Sequence, residues 1–525
     1  MNNWILRTGF LAVAGAFSCA ASAAVYYVSD CQSGAAAGCV AGNGANAGTS
    51  ASSPKQTFSQ VPALKAGDQV LFAKGGAWTN AGINNAGSSS TTASPIIFDS
   101  YTPSWGSTAK PILTETRADT NGFYIQTGQG MIIRNLELRG GGNASGVFIY
   151  SGGNNTTLDS LTITGFNGAF YCAKGPSNPA FITVKNSSLR NSKAMGILSG
   201  CDDMLFENNA LDNNGTTAIF DHNIYLDNKG VRNVIRGNTL TRSTFVNGQC
   251  QGVSLVVHGI YDGVTIENNT VIETAAANTC YGIQVAPGYG NEQEGYKNVV
   301  IRGNRVINVG GLGIATSSCQ TCTIENNVVV QQRTEEFLGI AASDSGRGDA
   351  LDWNNSNITI RNNSIYLTNS SSSDSMGINV YSDGTNHTVA SNLVYLNSGT
   401  GSVCFGTGGR TISGFAAFTN NLCYRASGSG SYSTLYSVLS LAQAAGFDVG
   451  GKNVNPNLVA APSAANNWSM ALSATSPAIN AGSATLSSKT DILGSVRSTP
   501  DIGAFEYGGA VDKTPPSPPS SIAVQ

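Results

Sequence analysis

Eight asparagines recur along the middle of the chain in one local pattern: an apolar residue, any residue, then Asn, Gly or Ser, the asparagine itself, any residue and a second apolar residue. They are Asn209, Asn238, Asn269, Asn304, Asn327, Asn363, Asn392 and Asn421. Successive copies lie 23 to 36 residues apart. Sequence repeats of this length, with insertions of variable size, are typical of solenoids. The chain is therefore predicted to be a coil of stacked, similar turns.

The residues around each asparagine indicate which solenoid forms. Three looser copies of the pattern precede the eight, at 133–138, 158–163 and 184–189. A second short apolar run, usually beginning with Gly-Ile or Gly-Val, follows each copy, and no helical period lies between the two. Asparagine tolerates the left-handed backbone of a sharp turn, and its amide can bond to the same asparagine one rung away. We predict an all-β fold, a right-handed parallel β-helix of about eleven rungs stacked at ~4.8 Å.

Composition and the first residues indicate an exported protein. With 63 Gly and only 11% charged residues, the chain favours turns over exposed helices, and its net charge of −3 argues against nucleic acid or an anionic membrane as a partner. Residues 1–23 place Arg7 before an apolar stretch and end in Ala-Ser-Ala, which predicts a secretory signal peptide cleaved after Ala23. The alternative is a lipoprotein signal in which Cys19 is lipidated. No other segment is long and apolar enough to be a transmembrane segment.

Ten cysteines remain after Cys19, and an even number in an exported chain predicts disulfides. The repeat frame places two pairs at similar positions of neighbouring rungs, and the other three pairs are close in sequence. The Cys-x-x-Cys pair lies in a turn of the β-helix, so we expect a structural bridge there. The five predicted disulfides are Cys31–Cys39, Cys172–Cys201, Cys250–Cys280, Cys319–Cys322 and Cys404–Cys423.

The last part of the chain differs from the rungs in composition. Residues 433–445 have the one convincing helical period in the chain. The final rung of a β-helix leaves an apolar face and a strand edge open, so residues 431–508 are predicted to form a small capping segment that contains this helix. Residues 509–525 are rich in Pro and Ser, as in a linker. The β-helix and its N-terminal cap are assigned to residues 24–430.

Two stretches resemble known secreted proteins. AGDQVLFAKGGAW (66–78) and PIIFDSYTPSWGSTAKPIL (95–113) resemble the opening of bacterial β-helix proteins with pectin-lyase-like folds. The ending SPAINAG…DILG…DIGAFEY (476–507) is similar to that of the bacterial choice-of-anchor family. The resemblance implies a secreted bacterial protein that can be attached to the cell surface through its tail, and we expect the protein to be a monomer. For chemistry it implies only a superfamily of lyases, hydrolases, epimerases and inactive members.

The second strand of each rung is expected to present one row of side chains to solvent. Counting from the Gly of each Gly-Ile or Gly-Val pair, position two should point outward. Aromatic residues and a leucine in this row, followed by small and polar residues, suggest the floor of a sugar-binding groove. The long segments 287–298 and 343–357 could form one wall of it. The predicted row is Phe148, Phe170, Leu198, Tyr225, Ser254, Gln284, Ala315, Ala341 and Asn379.

Two consecutive rungs carry the richest set of reactive side chains. They contain two of the three histidines of the chain, His222 and His258, each with Tyr and Asp nearby. Histidine can take up a proton near neutral pH, and tyrosine can protonate a leaving oxygen. We predict His222 or His258 as a base and Tyr225 as an acid, with Lys229 or a cation neutralising a substrate carboxylate. Asp227 completes the predicted catalytic set.

Residues around this set are predicted to bind the substrate or an ion. No cofactor is required by the sequence, but a Ca²⁺ could be held by Asp221, Asp227 or Asp262, because carboxylates are its preferred ligands. The predicted substrate-binding residues are Tyr261, Gln284, Ser254 and Tyr289.

These residues predict a secreted polysaccharide lyase that cleaves uronate-containing chains by β-elimination. A glycoside hydrolase is the alternative, and it would need two carboxyl groups roughly 5–9 Å apart, for which Asp227 and Asp262 are the candidates. A third possibility is a non-catalytic surface or matrix protein that binds carbohydrate or acts as a spacer. In that case the Asp, His and Asn side chains would only satisfy hydrogen bonds of the turns.

Overall fold

The computed structural model describes residues 23–508, apart from residues 143, 218, 334, 344–350, 369–374, 382–383, 398, 400 and 464–466. The predicted signal peptide, with the exception of Ala23, and the predicted linker at 509–525 lie outside the described residues. No helix within the described part of the chain has the length and apolarity needed to span a membrane.

Three long parallel sheets wind around one core, and each rung contributes a strand to the first, second and third sheet in turn. This arrangement is the predicted parallel β-helix. The sheets contain 14, 13 and 12 strands, which is more than the eleven rungs predicted. The additional strands come from residues before 133, where the chain forms rungs without the asparagine pattern.

The first sheet contains Val25–Val28, Gln69–Ala73, Ile97–Tyr101, Ile132–Arg134, Thr157–Asp159, Thr183–Lys185, Leu205–Glu207, Val234–Arg236, Thr265–Glu267, Val300–Arg302, Thr323–Glu325, Thr359–Arg361, His387–Ala390 and Phe415–Thr419. The second sheet contains Ala77–Thr79, Ile112–Glu115, Glu137–Gly140, Thr162–Thr164, Ser188–Arg190, Ala210–Asp212, Thr239–Thr241, Thr270–Ile272, Arg305–Ile307, Val328–Gln331, Ser364–Leu367, Leu393–Leu396 and Leu422–Arg425. The third sheet contains Ile83–Asn84, Phe123–Ile125, Ser145–Tyr150, Gly168–Ala173, Ile197–Ser199, Ile224–Leu226, Leu255–Val257, Tyr281–Val285, Leu312–Thr316, Leu338–Ala342, Met376–Val380 and Val403–Gly406.

Smaller elements complete the fold. A side sheet of four parallel strands follows the third sheet in four rungs, and it contains Lys229–Val231, Ile260–Asp262, Gly295–Lys297 and Cys319–Gln320. Phe245–Val246 pairs with Gln249–Cys250 in an antiparallel hairpin. The helices are the α-helix Leu439–Ala444 and the 3-10 helices Phe58–Gln60 and Ile412–Gly414.

The repeated asparagines form a buried ladder between the first and second sheets. At a typical rung, the Oδ1 of Asn269 accepts from the backbone N–H and the Nδ2 of Asn238, at 2.9 and 3.0 Å. The left-handed conformation that we expected of the repeated asparagine belongs instead to the residue before it, as at Asn268 (φ 57°) and Gly303 (φ 65°). Two adjacent residues therefore share the turn: one bends the chain and the next bonds the rungs together.

Apolar side chains of all three sheets fill the interior. The middle residue of each short strand points inward, and these residues are fully or almost fully buried, as at Leu158, Phe206 and Ile266. All five predicted disulfides are present in the structure. The Cys172–Cys201 and Cys250–Cys280 bridges join neighbouring rungs, as the repeat frame predicted.

The predicted capping segment divides into two parts with different positions. Its first part closes the end of the core, where Tyr432 and Phe447 are buried against Phe405 and Phe418. The predicted helix at 433–445 is shorter, because Ser433 Oγ accepts from the backbone N–H of Tyr436 and holds a turn there. This part adds parallel bridges to the last rung rather than covering it with a separate layer.

The second part, residues 456–508, packs along the outer face of the second sheet. Its Met470, Ile502 and Phe505 are buried against outward-pointing residues of that sheet, including Val330 and Leu393. The outward row of the second sheet explains the position of this cover, because it changes from polar to apolar along the chain. The row runs Thr164, Arg190, Asp212, Thr241, Ile272, Ile307, Val330, Tyr366, Tyr395 and Tyr424.

Candidate functional site

The outer face of the third sheet differs from the predicted row at two rungs. Strand pairing places Tyr171, not Phe170, beside Phe148, and Phe170 is buried in the core. Val256, not Ser254, lies between Tyr225 and Gln284. Counting from Gly168 and Gly252 was wrong because the register of strand pairing places position zero one and two residues later in these rungs. The observed row is Tyr124, Phe148, Tyr171, Leu198, Tyr225, Val256, Gln284, Ala315, Ala341 and Asn379.

The aromatic end of this row is packed against itself. The rings of Phe148 and Tyr171 are stacked, with centroids 4.7 Å apart and planes 5° from parallel. Tyr124 and Tyr150 lie against Phe148 at centroid distances of 5.4 and 6.1 Å. Because the facing sides of Phe148 and Tyr171 cover each other, they cannot also stack on a sugar ring. The row presents ring edges and tyrosine hydroxyls to solvent rather than the flat platform that we expected.

His222 lies just before the third-sheet strand Ile224–Leu226 and is only 4% exposed. Its Nδ1 is 3.0 Å from the carbonyl oxygen of Val253. A carbonyl oxygen only accepts, so Nδ1 carries the proton and Nε2 has the lone pair. Burial lowers the pKa of His222 to about 3. The ring is therefore neutral at physiological pH.

His258 follows the next strand of the third sheet and is only partly buried. Its Nδ1 is 2.5 Å from the carbonyl oxygen of Ala286, which assigns the same tautomer as in His222. Gly288 lies directly against the ring, since a Cβ placed there would be 2.5 Å from Cε1. The segment after the strand Tyr281–Val285 therefore fixes both the tautomer and the orientation of His258.

Tyr225 lies between the two histidines. Its ring centroid is 5.3 Å from that of His222 and 5.5 Å from that of His258, both in edge-to-face arrangements. Its hydroxyl bonds to the hydroxyl of Tyr289, whose ring is 5.7 Å from His258. Burial and the hydroxyl of Tyr289 raise the pKa of Tyr225 well above its usual value, so this phenol stays protonated. Three rungs thus bring together two histidines and two tyrosines.

Asp227 lies two residues after Tyr225. Burial raises the pKa of Asp227, although Asn228 donates to its Oδ2 at 3.1 Å. Burial raises the pKa values of Tyr171, Tyr225 and Tyr289, and the charge of Asp227 adds to each increase. Asp227 therefore connects the aromatic row to the histidine–tyrosine cluster electrostatically.

The other residues predicted to act on the substrate are divided between surface and interior. Lys229 is exposed at the start of a side-sheet strand, and Gln284 is partly buried in the outward row. Ser254 and Tyr261 are fully buried, so neither can touch a substrate in this conformation. The Tyr261 hydroxyl donates to the carbonyl oxygen of Asp227 at 2.6 Å, and its role is to support that turn.

The residues predicted to hold calcium do not converge. Asp221 Oδ2 accepts from the backbone N–H groups of Thr216 and Thr217, at 2.8 and 2.6 Å, and so closes its own turn. Asp262 Oδ1 accepts from Asn298 on the side sheet. In the described part of the chain, the group of three His, Cys, Asp or Glu ligand atoms within 4.8 Å of one another is Cys250, Glu273 and Cys280, and its two sulfurs form a disulfide.

No sequence pattern identified Glu294, which is fully buried beside the cluster. It follows Tyr289 in the predicted wall segment 287–298, and its carboxylate accepts the backbone N–H of Tyr289 at 2.7 Å. The same segment contains Glu292, which is exposed. Because both glutamates lie in one polar, irregular stretch, no periodicity distinguishes the buried one.

Solved structures similar to this chain include three carbohydrate-active enzymes. The GH136 lacto-N-biosidase of Eubacterium ramulus is 14% identical with a TM-score of 0.42, and the match covers 82% of this chain and 66% of that chain. The pectate lyase Pel9A is 15% identical with a TM-score of 0.38 and coverages of 93% and 98%. A PL6 family polysaccharide lyase from Pseudopedobacter saltans is 13% identical with a TM-score of 0.43 and coverages of 64% and 81%.

No curated protein matches the chain in sequence. The family model described as the right-handed beta helix region matches residues 121–295. This range begins before Tyr124 and ends just after Glu294, so it contains the whole histidine–tyrosine cluster. The match confirms the predicted handedness of the β-helix.

Proposed function

We propose that this protein is a secreted polysaccharide lyase that cleaves a uronate-containing chain by β-elimination on the outer face of the third sheet. The observation that carries the proposal is the pairing of His258 with Tyr225. The imidazole of His258 is partly buried, and its tautomer leaves Nε2 as the basic nitrogen. Its ring centroid is 5.5 Å from that of Tyr225, whose phenol stays protonated. Elimination needs these two groups together, a base for the proton on the carbon beside the carboxylate and an acid for the oxygen that leaves the adjacent carbon.

The proton balance assigns each residue a role. Nε2 of His258 removes the proton from the carbon next to the uronate carboxylate, and those electrons form a carbon–carbon double bond. The glycosidic C–O bond breaks, and the leaving oxygen takes the hydroxyl proton of Tyr225. A high phenol pKa does not prevent this transfer, because an alkoxide leaving group is itself strongly basic. Proton return from His258 to Tyr225 through solvent restores the starting state.

His258 is a better base than His222 on two grounds. His222 is 4% exposed, so a sugar carbon has little access to it. Burial lowers the pKa of His222 to about 3, which leaves it little affinity for a proton at neutral pH. We assign His222 the role of packing against Tyr225 and fixing the orientation of its ring.

Neutralising the uronate carboxylate is the step for which the site offers several groups. Lys229 is exposed two residues after Asp227, and Gln284 supplies an amide in the outward row. Calcium could bridge a uronate to Asp227, since carboxylates are its usual ligands. A chelator distinguishes these options, because it would abolish turnover only where a metal ion neutralises the carboxylate.

The experiment is to incubate the purified protein with uronate-containing and neutral polysaccharides while following reducing ends and the ultraviolet absorbance of an unsaturated product. Both signals rise in an elimination. Reducing ends without absorbance would instead mean hydrolysis. If neither reducing ends nor absorbance increased with any polysaccharide of a broad panel, a carbohydrate-binding or spacer role would be favoured.

Hydrolysis is the second candidate, and one observation favours it. Burial raises the pKa of Asp227, as expected of a general acid that must stay protonated. The second carboxyl group that we predicted, Asp262, accepts from Asn298, the residue after a side-sheet strand. The five disulfides support export for either reaction. We expect the protein to act as a monomer.

A further inference from the structure

Glu294 is a fully buried carboxylate that contacts two separate segments of the site. Its Oε2 accepts from the backbone N–H groups of Gly288 and Tyr289, both at 2.7 Å. Its Oε1 accepts from the backbone N–H of Gly259 at 2.5 Å. Gly259 is the residue after His258. One carboxylate therefore bonds to the backbone beside the proposed base and to the backbone of the tyrosine that contacts the proposed acid.

Burying a carboxylate is costly unless hydrogen bonds replace the lost water. Three backbone N–H groups do so here, and the hydroxyl of Tyr296 adds a longer contact of 3.4 Å to Oε1. Bonds from N–H groups to a charged acceptor are stronger than those to a neutral one. The arrangement therefore holds Gly259 and Gly288 at a fixed separation more firmly than an uncharged side chain could.

A second long segment is anchored on the same residue. The backbone N–H of Glu294 donates to Asp352 Oδ1 at 2.9 Å, and its carbonyl oxygen accepts from the N–H of Trp353 at 2.9 Å. Trp353 covers Gly295, where an added Cβ would be 2.1 Å from the indole ring. The first wall segment and residues 352–353 of the second thus meet at Glu294, and residues 344–350 of the second wall segment lie outside the described residues.

We propose that Glu294 is a positioning residue that holds His258 and Tyr289 in fixed positions relative to Tyr225. The proposal rests on the proposed function in assigning chemistry to His258 and Tyr225. Glu294 itself faces the backbone and not the groove. It acts only through the residues whose N–H groups it binds, so its loss should affect the rate of the chemical step more than substrate binding.

The test compares Glu294→Gln with Glu292→Gln, the same substitution at an exposed position of the same segment. A Gln side chain presents one acceptor and one donor, so it cannot accept from both segments. We expect the amides of Gly259, Gly288 and Tyr289 to exchange with deuterium faster in Glu294→Gln and at the wild-type rate in Glu292→Gln. Unchanged exchange in Glu294→Gln would overturn the proposal, and this readout needs no substrate.

Turnover supplies the second readout. Misplacing a reacting group by about 1 Å costs on the order of 10²-fold in rate. We expect kcat of Glu294→Gln to fall by roughly that factor with KM nearly unchanged, and Glu292→Gln to keep the wild-type values. A kcat within twofold of wild type would contradict the positioning role. If the wild-type protein has no activity, the proposed function fails, while amide exchange still decides whether Glu294 couples the two segments.

Glu294→Asp covers the case in which Glu294→Gln does not fold. It keeps the charge but is one methylene shorter, so it can reach only one of the two segments. We expect exchange protection to persist at one of Gly259 and Gly288 and to be lost at the other. Protection of both in Glu294→Asp would show that the carboxylate does not couple them, and would overturn the proposal.

Discussion

The outer faces of the first and third sheets share one backbone spacing but carry opposite chemistry. On the first sheet, nine consecutive rungs present charges of alternating sign, and each residue pairs in register with the next. The row is Arg134, Asp159, Lys185, Glu207, Arg236, Glu267, Arg302, Glu325 and Arg361. On the third sheet, the same rungs present the aromatic row and the histidine–tyrosine cluster.

The difference indicates that one face of the β-helix can carry stabilising ion pairs while another carries the proposed site. Charges on the first sheet satisfy one another, as in the contacts of Arg236 with Glu207 and of Arg302 with Glu267, both at 2.6 Å. On the third sheet, His258 and Tyr225 come from neighbouring rungs and converge on one position. A face on which every charge has a neighbouring partner has little to offer a substrate, and for this reason we place the proposed site on the third sheet.

The largest expected effect comes from removing the Tyr225 hydroxyl. Tyr225→Phe keeps the ring contacts with both histidines but cannot protonate a leaving oxygen, so we expect kcat to fall by about 10²–10⁴-fold. The melting temperature should change little. Arg236→Gln on the first sheet is the matched control and should keep full turnover. Loss of turnover in the control would break the comparison between the two faces.

The next effect concerns the asparagine ladder, which lies between the first and second sheets and belongs to neither of these faces. Asn269→Ala leaves the Ile235 carbonyl and the Asn238 amide groups without their partner, at a cost of roughly 2–5 kcal/mol in the free energy of unfolding. Asn268→Gly should cost far less, because glycine accepts the positive φ of that position. Chemical denaturation measures both. Equal losses would mean that bending and bonding are not divided between the two residues.

A pH-dependent effect is expected at the end of the ladder, where Asp448 replaces asparagine and accepts from both amide groups of Asn421 at 2.9 Å. Burial raises the pKa of Asp448 from 3.8 to about 6, so the folded protein binds this proton more tightly than the unfolded chain. The corresponding stabilisation is complete below the unfolded pKa and is lost as pH rises through about 6. It amounts to about 3 kcal/mol.

Asp448→Asn removes this titration while keeping the acceptor for Asn421. The free energy of unfolding of the variant, relative to wild type, should increase between pH 4 and pH 6 and then stay level. Denaturation of both proteins across that range is the measurement. A difference that does not depend on pH would mean that Asp448 titrates normally despite its burial.

The smallest expected effect is on the first sheet. Glu207→Gln removes one contact of Arg236, whose side chain is 44% exposed, and exposed pairs contribute only about 0.2–1 kcal/mol. The loss should shrink further at high salt, because screening weakens the pair in the wild-type protein too. A loss well above this range would indicate that the row acts as a cooperative network. Thermal unfolding at low and high salt distinguishes the two cases.

The sequence predicted much of this architecture because one asparagine per rung must hydrogen-bond to the asparagine of the next rung. The repeated asparagines located the rungs, and the rungs in turn located the Cys250–Cys280 bridge and the proximity of His222, Tyr225 and His258. The strands before residue 133 escaped the count, since their turns use other residues. Local pattern reveals a rung only where the turn chemistry repeats.

Within a rung, predicting which side chains point outward depended on which residue occupies position zero of the third-sheet strand. Glycine marks position zero in most rungs of the third sheet, but Ala169 and Ser254 take that place in the two rungs where an earlier glycine was counted. A shift of one residue exchanges the inner and outer faces, so Phe170 was assigned to the wrong side. Ser254 was displaced by two residues and lies before the strand, where it is buried. Glu294 was beyond prediction because its burial depends on segments of three different rungs.

The segment that covers the second sheet has a mechanical consequence. Its backbone and side chains bond to Asn326, Asn362, Ser391 and Asn420, which belong to four different rungs. A pulling force applied at residue 508 would therefore load several rungs in shear at once, instead of peeling the last rung from the stack. Rungs that share a load resist rupture better than rungs that separate one after another. We therefore expect residues 456–508 to raise the force needed to unfold the β-helix from its C-terminal end.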